Sequence, residues 1–287
     1  MARVLPIAVV QDAPFPLTAP LSDFTASVES LLGSFPQTRL IVYPELHLFG
    51  GAAGKSELNA SAEPLDGPRL QTLAQLAGDL GVWLVPGSVC ERGPAGQLFN
   101  TAVALSPEGK LAATYRKLFP WRPYEPFDPG EAFVTFDLPD IGRAGFSICY
   151  DAWFPEVTRH LAWMGAQVVL NVVKTTTCDR AQEVILARAN AIVNQVFVVS
   201  VNAAGPVGTG QSLIVDPEGL VRASASGANV TVLTDVLDLG HGERARTYGT
   251  AGLTRPWSQF QPGDTPIRLP LYGGEMSPER WNPDRND

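Results

Sequence analysis

Apolar β-rich runs alternate along this chain with segments of helical period. The runs at 4–10, 40–43, 82–85, 101–105, 145–149, 167–172, 196–201 and 212–215 predict strands. Between the first two, Leu21, Phe24, Val28, Leu31 and Leu32 recur at helical spacing, so one face of that helix is buried. A second helix is predicted over 155–164, with Pro155 suited to its first turn and Gly165 to its end. Segments 69–81 and 182–195 read as helices too. The pattern is that of an α/β layered fold.

The two halves repeat this order. IAVVQD, a helix and LIVYPE open the first; GFSICYD, a helix and AQVVLNVV open the second. Each continues with a helix, a strand (VWLVPG or VFVVSV) and a hairpin whose turn is Pro-Glu-Gly, at 107–109 and 217–219. Each half therefore reads β-α-β-α-β-β. Neither could cover both faces of its sheet alone, so residues 1–254 are expected to form a single internally duplicated domain, an α-β-β-α sandwich. From 255 to 287 the composition shifts: six prolines, four large aromatics (Trp257, Phe260, Tyr272, Trp281) and no period predict an extended Pro-rich arm, lying on its own domain or on a neighbouring subunit.

Composition narrows the function classes. The 287 residues carry 21 Lys plus Arg against 29 Asp plus Glu, a formal charge of −8, with no basic run. Such a chain is a poor partner for nucleic acid or an anionic membrane, and a small-molecule ligand is expected. MARVLPIAVVQD reads as a first core strand rather than a signal peptide, and no apolar stretch reaches the ~18 residues of a membrane span. Cys90, Cys149 and Cys178 form no CxxC pair, so reduced thiols and a cytoplasmic location are expected. His47, His160 and His241 stand far apart, and neither a metal nor a cofactor is expected. GGAAGKS at 50–56 is not a phosphate loop, because residue 49 is Phe; it reads as a Gly/Ala-rich loop beside a binding cleft.

Three reactive positions share a setting. Glu45 closes LIVYPE, Lys117 follows LAATYR and Cys149 closes GFSIC. Ligands in α/β sheets bind beyond the carboxyl ends of strands, so these side chains can converge. CYDAWFPEVTRH passes from strand through a short turn into a helix, which would set the sulfur near N–H groups that favour a thiolate. Lacking histidine, such a nucleophile needs another base and an oxyanion partner, which a Glu and a Lys supply.

VYPEL, YRKLFPW and SICYDAWFPE, in this order, resemble the Glu-Lys-Cys motifs of the nitrilase superfamily, the carbon–nitrogen hydrolases, from about residue 4 to about residue 240. The resemblance implies an α-β-β-α sandwich with duplicated halves, assembled at least as a homodimer. It also implies a two-step acyl transfer. Glu45 deprotonates Cys149, the thiolate attacks the amide carbon, and Lys117 with a backbone N–H holds the oxyanion. YRKLFPWRPYEPFDPG is similar to aliphatic amidases and formamidases, which implies that Glu125 positions the substrate amide and the water.

Nitrile-cleaving members place Trp-Glu after the cysteine; Tyr150-Asp151 here resembles the amidase-type branches. Trp121, Tyr124, Tyr150, Trp153 and the 174–177 run are candidate pocket residues, with Lys174 either binding a substrate carboxylate or standing at the surface. A small amide is the expected substrate. An N-carbamoyl amino acid or a nitrile is the alternative, and a catalytically silent binding protein on the same fold is the reading from another class.

Overall fold

The computed structural model describes residues 3–51, 54–278 and 281. One sheet contains β1 (Val4–Gln11), β2 (Leu40–Val42), β3 (Trp83–Val85), β4 (Ser88–Arg92), β5 (Leu98–Leu105) and β6 (Leu111–Arg116). The other contains β7 (Thr135–Leu138), β8 (Gly142–Ile148), β9 (Val168–Val173), β10 (Phe197–Asn202), β11 (Leu213–Val215) and β12 (Val221–Ser224); the last strand, β13 (Thr231–Asp238), returns to the first sheet. The helices are α1 (Leu21–Ser34), α2 (Lys55–Ser61), α3 (Pro68–Leu80), α4 (Pro155–Trp163), α5 (Arg180–Asn194) and α6 (Gly240–Tyr248).

The central strands are apolar on both faces because both faces are covered. In β2, Leu40 and Val42 point between the sheets, where Ile7, Val9, Trp83 and Val85 meet Phe146, Ile148, Leu170, Val172, Val199 and Val201. Ile41 points the other way and packs with Phe24 and Val28 of α1 and Leu70 and Leu73 of α3. On the far side, Val169 and Val198 lie under Val157 and Leu161 of α4 and Ala187 and Ala191 of α5. The layers are thus helix, sheet, sheet, helix, as the alternation of strand and helix implied.

The duplication is visible in the pairing. β1, β2 and β3 run parallel and continue into an antiparallel hairpin, β5–β6; β8, β9 and β10 do the same into β11–β12. The two Pro-Glu-Gly turns match in detail. Ser106 and Asp216 each donate N–H to the residue four on (2.8 and 3.0 Å), and Gly109 and Gly219 supply the left-handed φ of +71° and +86°. Each half also lends a strand: β7, which follows the first half, pairs antiparallel with β8, and β13, which follows the second, pairs antiparallel with β1 along its whole length.

The sequence pattern missed β4, β7, β13 and α6. β13 and β7 are edge strands, half covered, so their apolar positions are sparse. The 50–56 loop needs correction as well. Ala52 and Ala53 lie outside the described residues, but Lys55 and Ser56 open α2 rather than a loop, because Gly54 N–H donates to Glu57 Oε2 at 3.2 Å and Leu58 is buried. Residues 255–278 hold two short 3-10 turns, Pro256–Ser258 and Leu271–Gly274. Trp257 donates Nε1–H to the Asn194 carbonyl (3.2 Å) between the guanidinium groups of Arg159 and Arg246, and Tyr272 donates its hydroxyl to Glu156 (2.8 Å). Among the described residues no helix is long and apolar enough to cross a membrane.

Candidate active site

Glu45 lies beyond the carboxyl end of β2. The chain reaches it through a constrained corner in which Gly87 (φ +89°) passes so close to Pro44 that a Cβ there would sit 1.7 Å from the Pro44 carbonyl oxygen. That approach lets Ser88 Oγ accept the Leu46 N–H at 3.0 Å, and Glu45 N–H reaches across to the Val173 carbonyl at 3.3 Å. The carboxylate is buried, and its Oε1 accepts from Asn100 Nδ2 (2.7 Å) and Lys117 Nζ (3.1 Å).

Lys117 follows β6 directly. Its N–H donates to the Asn100 carbonyl (2.9 Å) and its own carbonyl accepts from Gly130 (2.8 Å), so both ends of the residue are fixed. The ammonium is fully buried, and it donates to Glu45 Oε1 and to both oxygens of Glu125 (2.7 and 2.9 Å). Burial alone would lower its pKa. Glu45, Cys149, Glu125 and Asp151 together outweigh that and hold it well above the ordinary lysine value. Glu125 sits in the turn after Trp121, whose carbonyl accepts the Glu125 N–H (2.9 Å) and whose own N–H donates back to Glu125 Oε2 (3.3 Å). Burial raises the Glu125 carboxyl against the pull of Lys117, and Glu45 pushes in the same direction as burial.

Cys149 is the first residue after β8 and takes a left-handed φ of +46°, a conformation that costs a non-glycine residue ~1–3 kcal/mol and persists only where its surroundings enforce it. It opens a 3-10 turn, Cys149–Trp153, and α4 begins only at Pro155. Strand, short turn and helix thus follow one another as the sequence implied. Against the N–H groups expected to favour a thiolate, burial first, then the charge of Glu45, pushes the thiol well above its ordinary value, with Lys117 opposing and Glu183 and Glu125 adding to the rise. Cys149 Sγ lies 3.8 Å from Thr175 Oγ1.

The structure brings Glu45, Lys117 and Glu125 into direct contact, and the charges of all three act on Cys149. Trp121 and Tyr124 are exposed and pack against each other with their rings tilted by 41°, centroids 4.4 Å apart. Tyr150 and Trp153 are half-buried in the 3-10 turn, 6.1 Å apart. Tyr150 also borders an apolar cleft of about 840 Å³ that the arm residues Met276 and Trp281 help to line. Lys174 is half-buried after β9 and, among the described residues, makes no ion pair. No group of three or more His, Cys, Asp or Glu side chains among the described residues could hold a metal ion.

Sequence reasoning missed three supporting side chains. Asn100, the amide inside the apolar run LFNTAVAL, links Glu45 to Lys117. Asp151 is fully buried and accepts from Tyr115 Oη–H (2.7 Å), Ile148 N–H (2.9 Å) and Phe119 N–H (2.9 Å), which ties the turn after Cys149 to the segment after Lys117. Burial lifts its carboxyl to about 6 despite Lys117 and these donors. Glu183, on the buried face of α5, holds Thr175.

The chain is similar to known proteins both in sequence and in fold. The chain is 32% identical over 204 residues to a formamidase of Pseudomonas syringae and 33% identical over 181 residues to a formamidase of Bacillus cereus, covering 68% and 62% of this chain. It spans only 58% and 54% of those relatives' own lengths. Among solved structures, Nit3 of Saccharomyces cerevisiae, a member of branch 10 of the nitrilase superfamily, superposes with a TM-score of 0.77 at 27% identity over 85% of this chain and 93% of its own. A cysteine-to-alanine mutant of an amidase of the nitrilase superfamily from Nesterenkonia does so with a TM-score of 0.72 at 26% identity, over 85% and 94%. With its duplicated α-β-β-α sandwich and a match to the carbon-nitrogen hydrolase family over residues 7–247, the chain belongs to that family.

Proposed function

We propose that this protein is a cysteine-dependent amidohydrolase that splits a small non-peptide amide into a carboxylic acid and ammonia. The observation that carries the reading is the buried Lys117 ammonium bridging Glu45 and Glu125 beside a nucleophile that has no histidine to activate it. Glu45 takes the Cys149 thiol proton as the sulfur attacks the amide carbon, because a resting thiol must lose its proton during the attack rather than before it. Lys117 stabilises the developing oxyanion. Glu45 returns the proton to the departing nitrogen, ammonia leaves and a thioester remains on Cys149. Water, positioned with Glu125 and deprotonated by Glu45, then releases the acid, and the Glu45 proton restores the thiol.

The formamidase relatives and the Nesterenkonia amidase, one structure of which is a complex with butyramide, support a small uncharged amide. The charge balance supports it too. Lys117 and Arg180 are already paired with carboxylates, so a substrate carboxylate would face the negative charges of Glu45, Glu125 and Glu183. We also read the exposed apolar side chains Trp163, Ile185, Ile192 and Val193 on and beside α4 and α5 as a homodimer face, which sedimentation at graded concentrations tests. Ammonia release from formamide, short aliphatic amides, N-carbamoyl amino acids and nitriles, measured beside Cys149→Ala, tests the activity. Turnover of an uncharged amide that disappears in the variant is expected; turnover that survives the variant overturns the nucleophile.

A further inference from the structure

A second buried polar cluster touches Cys149, and the mechanism above does not use it. Thr175 is fixed at both backbone ends. Its N–H donates to Asn202 Oδ1 (2.9 Å), and its carbonyl accepts from Thr209 N–H and Thr209 Oγ1–H (both 3.0 Å). Its hydroxyl lies 2.9 and 2.7 Å from the two oxygens of Glu183. Glu183 cannot turn away, because Arg180 Nη1 donates to its Oε2 at 3.1 Å. The Arg180 fork is itself spent on Ser200 Oγ and the carbonyls of Gly210 and Gln211. Thr175, Arg180 and Glu183 are all buried.

A hydroxyl has one proton to give. Thr175 gives it to the Glu183 carboxylate, so the face it turns to the Cys149 sulfur, 3.8 Å away, is a lone pair. We propose that Thr175, locked by Glu183 and Arg180, is a positioning residue for Cys149: its hydroxyl oxygen accepts the S–H, fixes the sulfur beyond β8 and keeps the resting nucleophile protonated until substrate arrives. This rests on the reading of Cys149 as nucleophile.

An acceptor stabilises the neutral thiol and offers nothing to a thiolate. The other charges facing the sulfur are Glu45 from the corner after β2, Lys117 from the end of β6, Glu125 from the following turn, and Arg180 with Glu183 from α5. Glu45 and Lys117 serve the reaction. Thr175 answers for the resting state, sparing a strained cysteine from adventitious electrophiles.

The test is the pH–rate profile of Cys149 carbamidomethylation by iodoacetamide, read by mass spectrometry on the Cys149 peptide so that Cys90 and Cys178 do not interfere. In Thr175→Val the profile is expected to move about one pH unit lower, an approximately tenfold faster alkylation at pH 8, while kcat/KM for the preferred amide falls about tenfold. Thr175→Ser is expected to restore both. Should the valine variant fail to fold by circular dichroism, Thr175→Ala removes the same oxygen and is expected to show the same displacement. An unmoved profile, an upward displacement, or a serine variant that behaves like valine overturns the proposal. Ammonia release by Cys149→Ala, measured in parallel, separates that failure from failure of the nucleophile itself.

Discussion

Two buried cations flank Cys149, and they are held in opposite ways. Lys117 gives its donors to two carboxylates, and their charges keep it firmly protonated despite burial. Arg180 has one carboxylate partner and fills the rest of its fork with a hydroxyl and carbonyl oxygens, and burial lowers its pKa. A lysine ammonium is a point charge on a flexible stem, able to shift from a carboxylate to an oxyanion as charge develops. A guanidinium tied down along its whole plane cannot. On the proposed mechanism, the difference separates a working charge from a structural one.

Exchanging each cation for methionine breaks the comparison most sharply. Lys117→Met is expected to lower kcat by about 10³ or more, since an oxyanion donor alone is worth about 10²–10³. The two carboxylates it leaves can answer by taking up a proton, Glu125 being raised already. Arg180→Met should do the reverse: kcat per folded molecule within about tenfold of wild type, but a stability loss of about 3–5 kcal/mol, because Glu183 would be left buried and unpaired. Denaturant titration beside active-site-normalised rates reads both.

Glu125→Gln sharpens the assignment within the Lys117 cluster. It keeps the shape and removes one of the charges on the ammonium, and a drop in kcat of about 10–10² with KM little changed is expected from stopped-time ammonia assays. A change confined to KM would make Glu125 a binding group only.

His47 adds a buried base. Among the described residues neither of its ring nitrogens has a hydrogen bond, the ring packs against Tyr43, Phe24 and Phe15, and burial lowers its pKa from 6.5 to about 3. The unfolded chain therefore takes up a proton near 6.5 that the folded protein refuses until about 3. This contribution to stability is lost as pH falls through that window, at up to about 1.4 kcal/mol per pH unit. Asp151, raised to about 6, acts with the opposite sign between about 4 and 6. His47→Phe is expected to flatten the acid limb of a stability–pH curve from urea melts; an unchanged limb would place the titrating group elsewhere.

The layers were legible in the sequence because strands buried on both faces leave unbroken apolar runs, and Glu45, Lys117 and Cys149 stood out as reactive groups where those runs stop. The edge strands β7 and β13 left weaker marks, since half their positions face outward. Asn100 did leave a signal, a lone amide within an apolar strand that must find a partner once buried. So did α5, where Arg180, Glu183, Asn190 and Asn194 recur on the buried face of a helix read only for its period. The state of the thiol was not legible. It depends on the sum of burial and the charges of Glu45, Lys117, Glu125 and Glu183 from four separate segments, which no local motif contains.

The most direct test of the central claim is to quench the enzyme with acid in the first turnovers on its preferred amide and weigh the Cys149 peptide. An adduct of the acyl group, joined as a hydroxylamine-labile thioester and formed with one equivalent of ammonia per site, is the predicted result. Steady turnover with that peptide unmodified, also in a Glu125→Gln variant slowed in hydrolysing the thioester, would contradict it.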